Sequence, residues 1–205
     1  MRPLPRVHAF TDDAIIQEAD FGVRAAAIAA AGPAIALHAR APGKSTAVLT
    51  ALTLRLMTLA RPPEAAVFVS GRSDLAAAAG AFGVQLRTHD LRPPDVRRIL
   101  RHGWIGRSVH SLQEAEIAVS EGCDFLVVGN VYPTGSHPGR PPQGLGLLHS
   151  TTGLGVPVIA IGGITPERAL EVRRAGAYGV AAISALWRTG DPAAAALAML
   201  EPWAT

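Results

Sequence analysis

Short apolar runs rich in β-branched residues alternate with alanine-rich stretches of helical spacing from one end of the chain to the other. An apolar run of about four to eight residues bounded by turn residues reads as a strand buried on both faces, whereas apolar positions three and four apart read as a helix with one buried face. The pattern predicts strands at 7–11, 34–40, 66–71, 84–87, 105–110, 125–131, 157–162 and 179–185. Helices are predicted between and after them, at 14–31, 45–60, 74–81, 93–101, 112–121, 145–154, 166–175 and 192–200. Every strand is followed by a helix.

Strand–helix–strand crossovers demand parallel strands, and eight such units leave about 26 residues each, enough for a short strand, a short helix and two turns. The expected fold is α/β, a compact (β/α)8 TIM barrel forming a single domain over 1–205. The competing architecture, a doubly wound open sheet, usually has fewer strands and a glycine-rich first turn; here the first turn is Thr11-Asp12-Asp13 and the glycines cluster late.

Composition supports one aliphatic-rich domain. The 205 residues are 49% hydrophobic and only 17% charged, with mean hydropathy +0.25, which excludes disorder as the main state. Aromatics make up 5%, so a core of small aliphatic side chains is expected, with Gly 21 and Pro 16 punctuating many turns. The net charge of +3 and a pI near 9.7 suit an anionic small molecule. They do not suggest nucleic acid, because basic residues are scattered, pair at most as in Arg97-Arg98 or Arg173-Arg174, and are not interleaved with aromatics. Cys123, alone in an apolar run, has no disulfide partner. A reducing cytoplasm is expected, with no export signal and no membrane span. Flat alanine-rich outer helices suit a homodimer.

In a barrel of this kind ligands gather at the C-terminal ends of the strands, and phosphate is often held by the last two loops. Gly162 and Gly163 close the seventh strand, and Ile183 and Ser184 close the eighth; together they are expected to form a phosphate clamp of backbone amides and a hydroxyl. The loop after the sixth strand carries Asn130, Thr134, Ser136 and His137, an amide, two hydroxyls and an imidazole. A histidine there suits general acid–base work, its pKa lying near working pH. Ser108 and His110 are two apart on the fifth strand and so share one face. No metal-ligand cluster, serine triad or P-loop pattern is present; Asp12, Asp13 and Asp90 end strands one and four, where they serve equally as helix caps or as oxygens for a hard cation.

At these residues the chain resembles the thiamin phosphate synthase superfamily, and more closely its thiazole tautomerase (TenI-like) branch. The resemblance runs through Phe10-Thr11-Asp12, Gly83-Val84-Gln85-Leu86, Ile105-Gly106-Arg107-Ser108-Val109-His110, Asp124-Phe125-Leu126-Val127-Val128-Gly129, Tyr132-Pro133-Thr134 and Pro157-Val158-Ile159-Ala160-Ile161-Gly162-Gly163-Ile164. It implies a clamp for a phosphorylated thiazole at Thr134, Gly162, Gly163, Ile183 and Ser184.

The departures separate the superfamily's two activities. The resemblance implies that a synthase binds a pyrimidine diphosphate through a Gln-x-Arg-x-Lys pattern on the second strand, where this chain has Ala36, His38 and Arg40. It also implies Mg²⁺ held by an Asn-Asp pair after the third strand, here Ser70-Gly71, and an aspartate after the fourth, Asp90. The synthase lysine of the sixth loop is replaced by His137. A multivalent anion short of countercharge binds poorly. The expectation is therefore an isomerase, a thiazole tautomerase that aromatises a thiazole carboxylate phosphate in thiamin biosynthesis without a cofactor. The alternatives are a weak thiamin phosphate synthase, for which Mg²⁺ would be needed, and a non-catalytic phosphate-binding or regulatory barrel. The resemblance implies a histidine after the sixth-strand glycine, where Asn130 stands; His137 is the first candidate base, then His110 and His38, with Arg40 or Arg107 steadying the carboxylate.

Overall fold

In a computed structural model that describes residues 2–135, 139 and 141–204, eight parallel strands close into a barrel in chain order, the first pairing with both the second and the last. The strands are β1 Val7–Phe10, β2 Ile35–Ala39, β3 Ala66–Ser70, β4 Gly83–Leu86, β5 Trp104–Val109, β6 Phe125–Val128, β7 Val158–Ile161 and β8 Gly179–Ala182. The helices are α1 Phe21–Ala29, α2 Thr46–Ala60, α3 Ser73–Ala79, α4 Pro93–Ile99, α5 Leu112–Ser120, α6 Gly144–Thr152, α7 Pro166–Arg174, α8 Ser184–Trp187 and α9 Pro192–Leu200. No described helix is long and apolar enough to cross a membrane.

The expected elements are present, with three differences. The helix expected over 14–31 is a 3-10 turn, Ile15–Gln17, followed by α1, because Asp12 Oδ1 accepts from the amides of Ala14 and Ile15 and opens a separate short turn. β6 ends at Val128 rather than 131: the amides of Val131 and Tyr132 donate to the Ile161 and Gly162 carbonyls, so this loop follows the end of β7 in irregular form. Residues 184 and 185, expected in the last strand, begin α8.

Two apolar layers enclose the sheet. Between the strands and the helices the core is aliphatic, as expected from composition, with Trp187 stacked on Phe21. Inside the barrel the expectation fails. Phe10, Phe68 and Phe125 pack there together with the buried imidazoles of His8 and His38, so three of the 5 phenylalanines gather inside the barrel. Glycines inside two strands make the room. A Cβ on Gly83 would lie 2.5 Å from the Phe68 ring, and one on Gly106 would overlap the ring of Phe125, its partner across β5 and β6. These glycines serve packing rather than turns.

Candidate active site

A cavity of about 940 Å³ opens at the C-terminal ends of the strands, where a barrel gathers its loops and places its chemistry. Phe10 lies on its wall, with the buried ring of His38 stacked on it and the Phe68 ring on the far side of His38.

At one side the β7–α7 and β8–α8 loops meet. Gly162, Gly163, Ile183, Ser184 and Thr134 all line the cavity. Gly162 and Gly163 have φ of +101° and +63°, conformations that side chains with a Cβ rarely adopt. A Cβ at either position would come within 2.5 Å of the β6–α6 loop, at Asn130 or at the Pro133 carbonyl. Neither glycine amide donates to a described backbone group, which leaves both as donors for an anion. Arg168 of α7 holds this turn: it donates to the Gly163 carbonyl at 2.6 Å and its guanidinium lies 4.4 Å from the centre of the Tyr132 ring. Tyr132 in turn donates to Glu171 at 2.6 Å, and burial with that carboxylate raises the phenol to about 12.

Ser108 and His110 face the cavity from β5 and its end, as their spacing requires. Ser108 Oγ accepts from Gln85 Nε2 at 2.6 Å. His110 is held on two sides. Its amide donates to Glu114 at 2.7 Å, and Ser111 Oγ caps α5 by accepting from the Glu114 amide at 3.1 Å, a Ser-x-x-Glu arrangement at the helix start. Its Nδ1 lies 2.6 Å from the Gly129 carbonyl. A carbonyl only accepts, so Nδ1 carries a proton, and in the neutral ring Nε2 is the acceptor.

Asn130 is buried on the cavity wall; its Nδ2 donates to the Tyr132 carbonyl at 3.4 Å, and its Oδ1 has no hydrogen-bond partner among the described residues. His38, expected among the candidate bases, is wholly buried in the barrel interior beneath Phe10 and does not line the cavity. Arg107 points away, donating to the carbonyls of Leu91 and Thr88. Ser136 and His137 lie outside the described residues. Arg40 lines the cavity at the end of β2.

The acidic residues at the strand ends are engaged. Asp12 caps the 3-10 turn, and Asp13 Oδ2 accepts from the Gly43 amide at 2.8 Å. Asp90 is gripped by Arg87 through a backbone amide at 2.7 Å and two guanidinium nitrogens at 3.1 and 2.8 Å. Gly71 faces this pair; a Cβ there would sit 3.0 Å from Asp90 and 3.3 Å from Arg87. The Mg²⁺ that the resemblance implies for condensation needs several oxygen ligands. Here one carboxylate is already neutralised by a guanidinium and a glycine occupies the opposite position, so the residues present do not fit that ion.

Sequence reading missed Arg87, Arg168, Gln85 and Glu114. Arg87 immediately follows β4 and was findable from the rule that strand ends carry the site. Arg168 and Glu114 lie one turn into helices, and only the packing of those helices brings them to the cavity.

The family described as thiamine monophosphate synthase matches residues 7–186. A thiamine-phosphate synthase of Thermus thermophilus is 40% identical over 153 residues, 74% of each chain. That of Salinispora arenicola is 35% identical over 205 residues, 98% of each chain. Among solved structures, thiamine phosphate pyrophosphorylase from Pyrococcus furiosus superposes with a TM-score of 0.79 at 31% identity, covering 96% of this chain and 94% of that one. A 3-hexulose-6-phosphate synthase, at 17% identity and TM-score 0.70 over 96% of this chain and 99% of that one, shares the fold.

Proposed function

The chain belongs to the thiamine monophosphate synthase family, and from that premise we propose that its cavity receives a phosphorylated thiazole and catalyses the proton transfer that makes the ring aromatic. The observation that carries this reading is His110, whose neutral ring the Gly129 carbonyl fixes as the Nδ1–H tautomer, in a cavity that also holds the Gly162–Gly163 turn. The phosphate binds at that turn, with Ser184 and Thr134 supplying hydroxyls and Arg168 adding charge. Nε2 of His110 takes a proton from a ring carbon, the C–H electrons move into the ring system, and the imidazolium returns the proton at the far end of the conjugated unit. No proton is gained or lost overall, and no metal takes part.

A second reading, condensation of the thiazole phosphate with a pyrimidine diphosphate to thiamin phosphate, is favoured by the names of the relatives at 35% and 40% identity. The Arg87–Asp90 pair facing Gly71 weighs against it, because a departing diphosphate loses its cation site there. One pair of assays separates the two. Purified protein offered the non-aromatic thiazole carboxylate phosphate gives an ultraviolet absorbance change faster than buffer alone if the first reading holds, and a rate equal to the uncatalysed one overturns it. Pyrimidine diphosphate, thiazole phosphate and Mg²⁺ together yield thiamin phosphate with robust turnover only under the second.

A further inference from the structure

Asn130 stands where the resemblance implies a histidine, and its own loop orients its amide. A carbonyl only accepts, so the Nδ2 side faces the Tyr132 carbonyl at 3.4 Å and Oδ1 lies on the other side. Asn130 is buried on the cavity wall, and Oδ1 has no donor among the described residues. Two hydrogen bonds tie it to a second open acceptor. The Gly129 carbonyl, one residue before Asn130, takes the Nδ1 proton of His110, and the His110 amide donates to Glu114 Oε2 at 2.7 Å. Oε1 of Glu114 has no partner among the described residues. Glu114 is also the one carboxylate among the described residues that line the cavity; the guanidiniums there belong to Arg40 and Arg87, after β2 and β4, and to Arg168 and Arg188, after β7 and α8. A cavity built for an anion gains nothing from a carboxylate and a bare buried acceptor unless the ligand brings a positively charged N–H donor to that wall.

We propose that Asn130 is a catalytic residue whose Oδ1 accepts a hydrogen bond from the protonated ring nitrogen of the thiazole, with Glu114 balancing the charge. The inference rests on the proton-transfer reading of the same cavity. A solvent proton on the ring nitrogen turns the C=N bond into an iminium. His110 Nε2 then takes the ring C–H proton, and the C–H electron pair moves toward the nitrogen and neutralises it. The imidazolium returns its proton at the far end of the conjugated unit, the ring becomes an aromatic N–H cation, and the nitrogen gives its proton back to solvent. One solvent proton is borrowed and returned, and no electron pair leaves the ligand. Proton removal from an iminium leaves a neutral enamine rather than a carbanion, which is how a preset acceptor and a nearby carboxylate lower the barrier.

Calorimetric titration with two phosphate esters tests the contact apart from turnover: a thiazole ethyl phosphate, whose ring is neutral, and an imidazole ethyl phosphate at about pH 6, whose ring is largely an N–H cation. The wild-type chain binds the imidazolium ester about ten- to hundredfold more tightly, the worth of a charge-assisted hydrogen bond. Asn130→Leu abolishes this preference and Asn130→Asp keeps it, because aspartate keeps an acceptor. Both variants lose the Nδ2 bond to Tyr132, so a merely structural role would make them behave alike; Asn130→Ala serves if the leucine variant does not fold. Glu114→Gln keeps an oxygen for the His110 amide, loses the charge and reduces the preference. In the tautomerisation assay Asn130→Leu lowers kcat about 10²-fold with KM nearly constant, and Asn130→Asp recovers most of that loss. Equal affinities in the wild type, or equal losses in Asn130→Leu and Asn130→Asp, overturn the proposal. A preference without turnover overturns the proton-transfer reading and the catalytic role while the cation contact stands. Failure of both esters to bind overturns the contact together with the cavity reading.

Discussion

Nδ1 of His8 lies 2.8 Å from Nε2 of His38, deep in the barrel interior. Nε2 of His8 faces the Pro5 carbonyl at 3.0 Å and donates to it, so His8 Nδ1 accepts and His38 Nε2 donates. The chain of bonds ends at His38 Nδ1, which has no partner among the described residues and is sandwiched between Phe10 and Phe68, with ring centres 3.8 and 4.9 Å away. Both rings are neutral in the folded state. Burial pushes His8 down to about 4, with the Pro5 bond partly offsetting it. Burial, and then repulsion from His8, drives His38 well below its ordinary value.

Stability should therefore fall on mild acidification. The folded pKa values lie below the unfolded ones, so the unfolded chain binds more protons between pH 6.5 and about 4. The contribution is complete above pH 6.5 and lost progressively as the pH drops through that window. His8 alone accounts for about 3 kcal/mol by pH 4. Urea unfolding at pH 7.5, 6.5, 5.5 and 4.5 measures this, and an unchanged midpoint between pH 6.5 and 5 would contradict it.

His110→Asn removes the one described imidazole on the cavity wall that has an assigned acceptor nitrogen. In the tautomerisation assay kcat should fall by about 10²- to 10⁴-fold while ligand binding persists. An unchanged kcat would take His110 out of the mechanism and return the role to His137.

Gly163→Ala places a Cβ at φ +63°, 2.5 Å from the Pro133 carbonyl and 2.8 Å from Tyr132 Cβ. The variant should be less stable by about 1 kcal/mol or more and should lose most of the thermal stabilisation that a saturating phosphate ligand gives the wild type. Full ligand protection in this variant would place the phosphate elsewhere.

Arg168→Leu removes the 2.6 Å bond to the Gly163 carbonyl and the contact with the Tyr132 ring. Because Arg168 holds the Gly162–Gly163 turn, proposed to bind the phosphate, KM should rise about tenfold or more with kcat nearly constant. Steady-state kinetics would reveal a kcat effect of equal size if Arg168 takes part in the chemistry.

Gly106→Ala tests the aromatic interior. The added methyl would overlap the buried Phe125 ring, so a loss of about 1–3 kcal/mol is expected by chemical denaturation. A neutral result would mean that the ring has room to shift.

Much of the architecture was legible locally. Eight apolar runs alternating with helical periodicities specify eight units, and crossover handedness leaves a closed parallel barrel as their economical arrangement. The Gly162–Gly163 turn and the Ser108/His110 pair were legible for the same reason, since strand period and glycine placement are properties of adjacent residues. The aromatic interior was not. Phe10, Phe68 and Phe125 lie far apart in sequence, and composition alone says nothing about where rare residues gather.

The chain order by itself determined the fold class, the face that carries the loops and the Gly162–Gly163 turn, because each depends on short-range pattern. Only the closed barrel decided that His38 is buried under Phe10 and His110 is not. Both residues follow the strand period; they differ in depth along the barrel axis, which the stagger of neighbouring strands sets. Three-dimensional packing likewise decided that Arg87 turns onto Asp90 across from Gly71. Charge balance at a site depends on distances between separate loops, and those distances exist only once the barrel has closed.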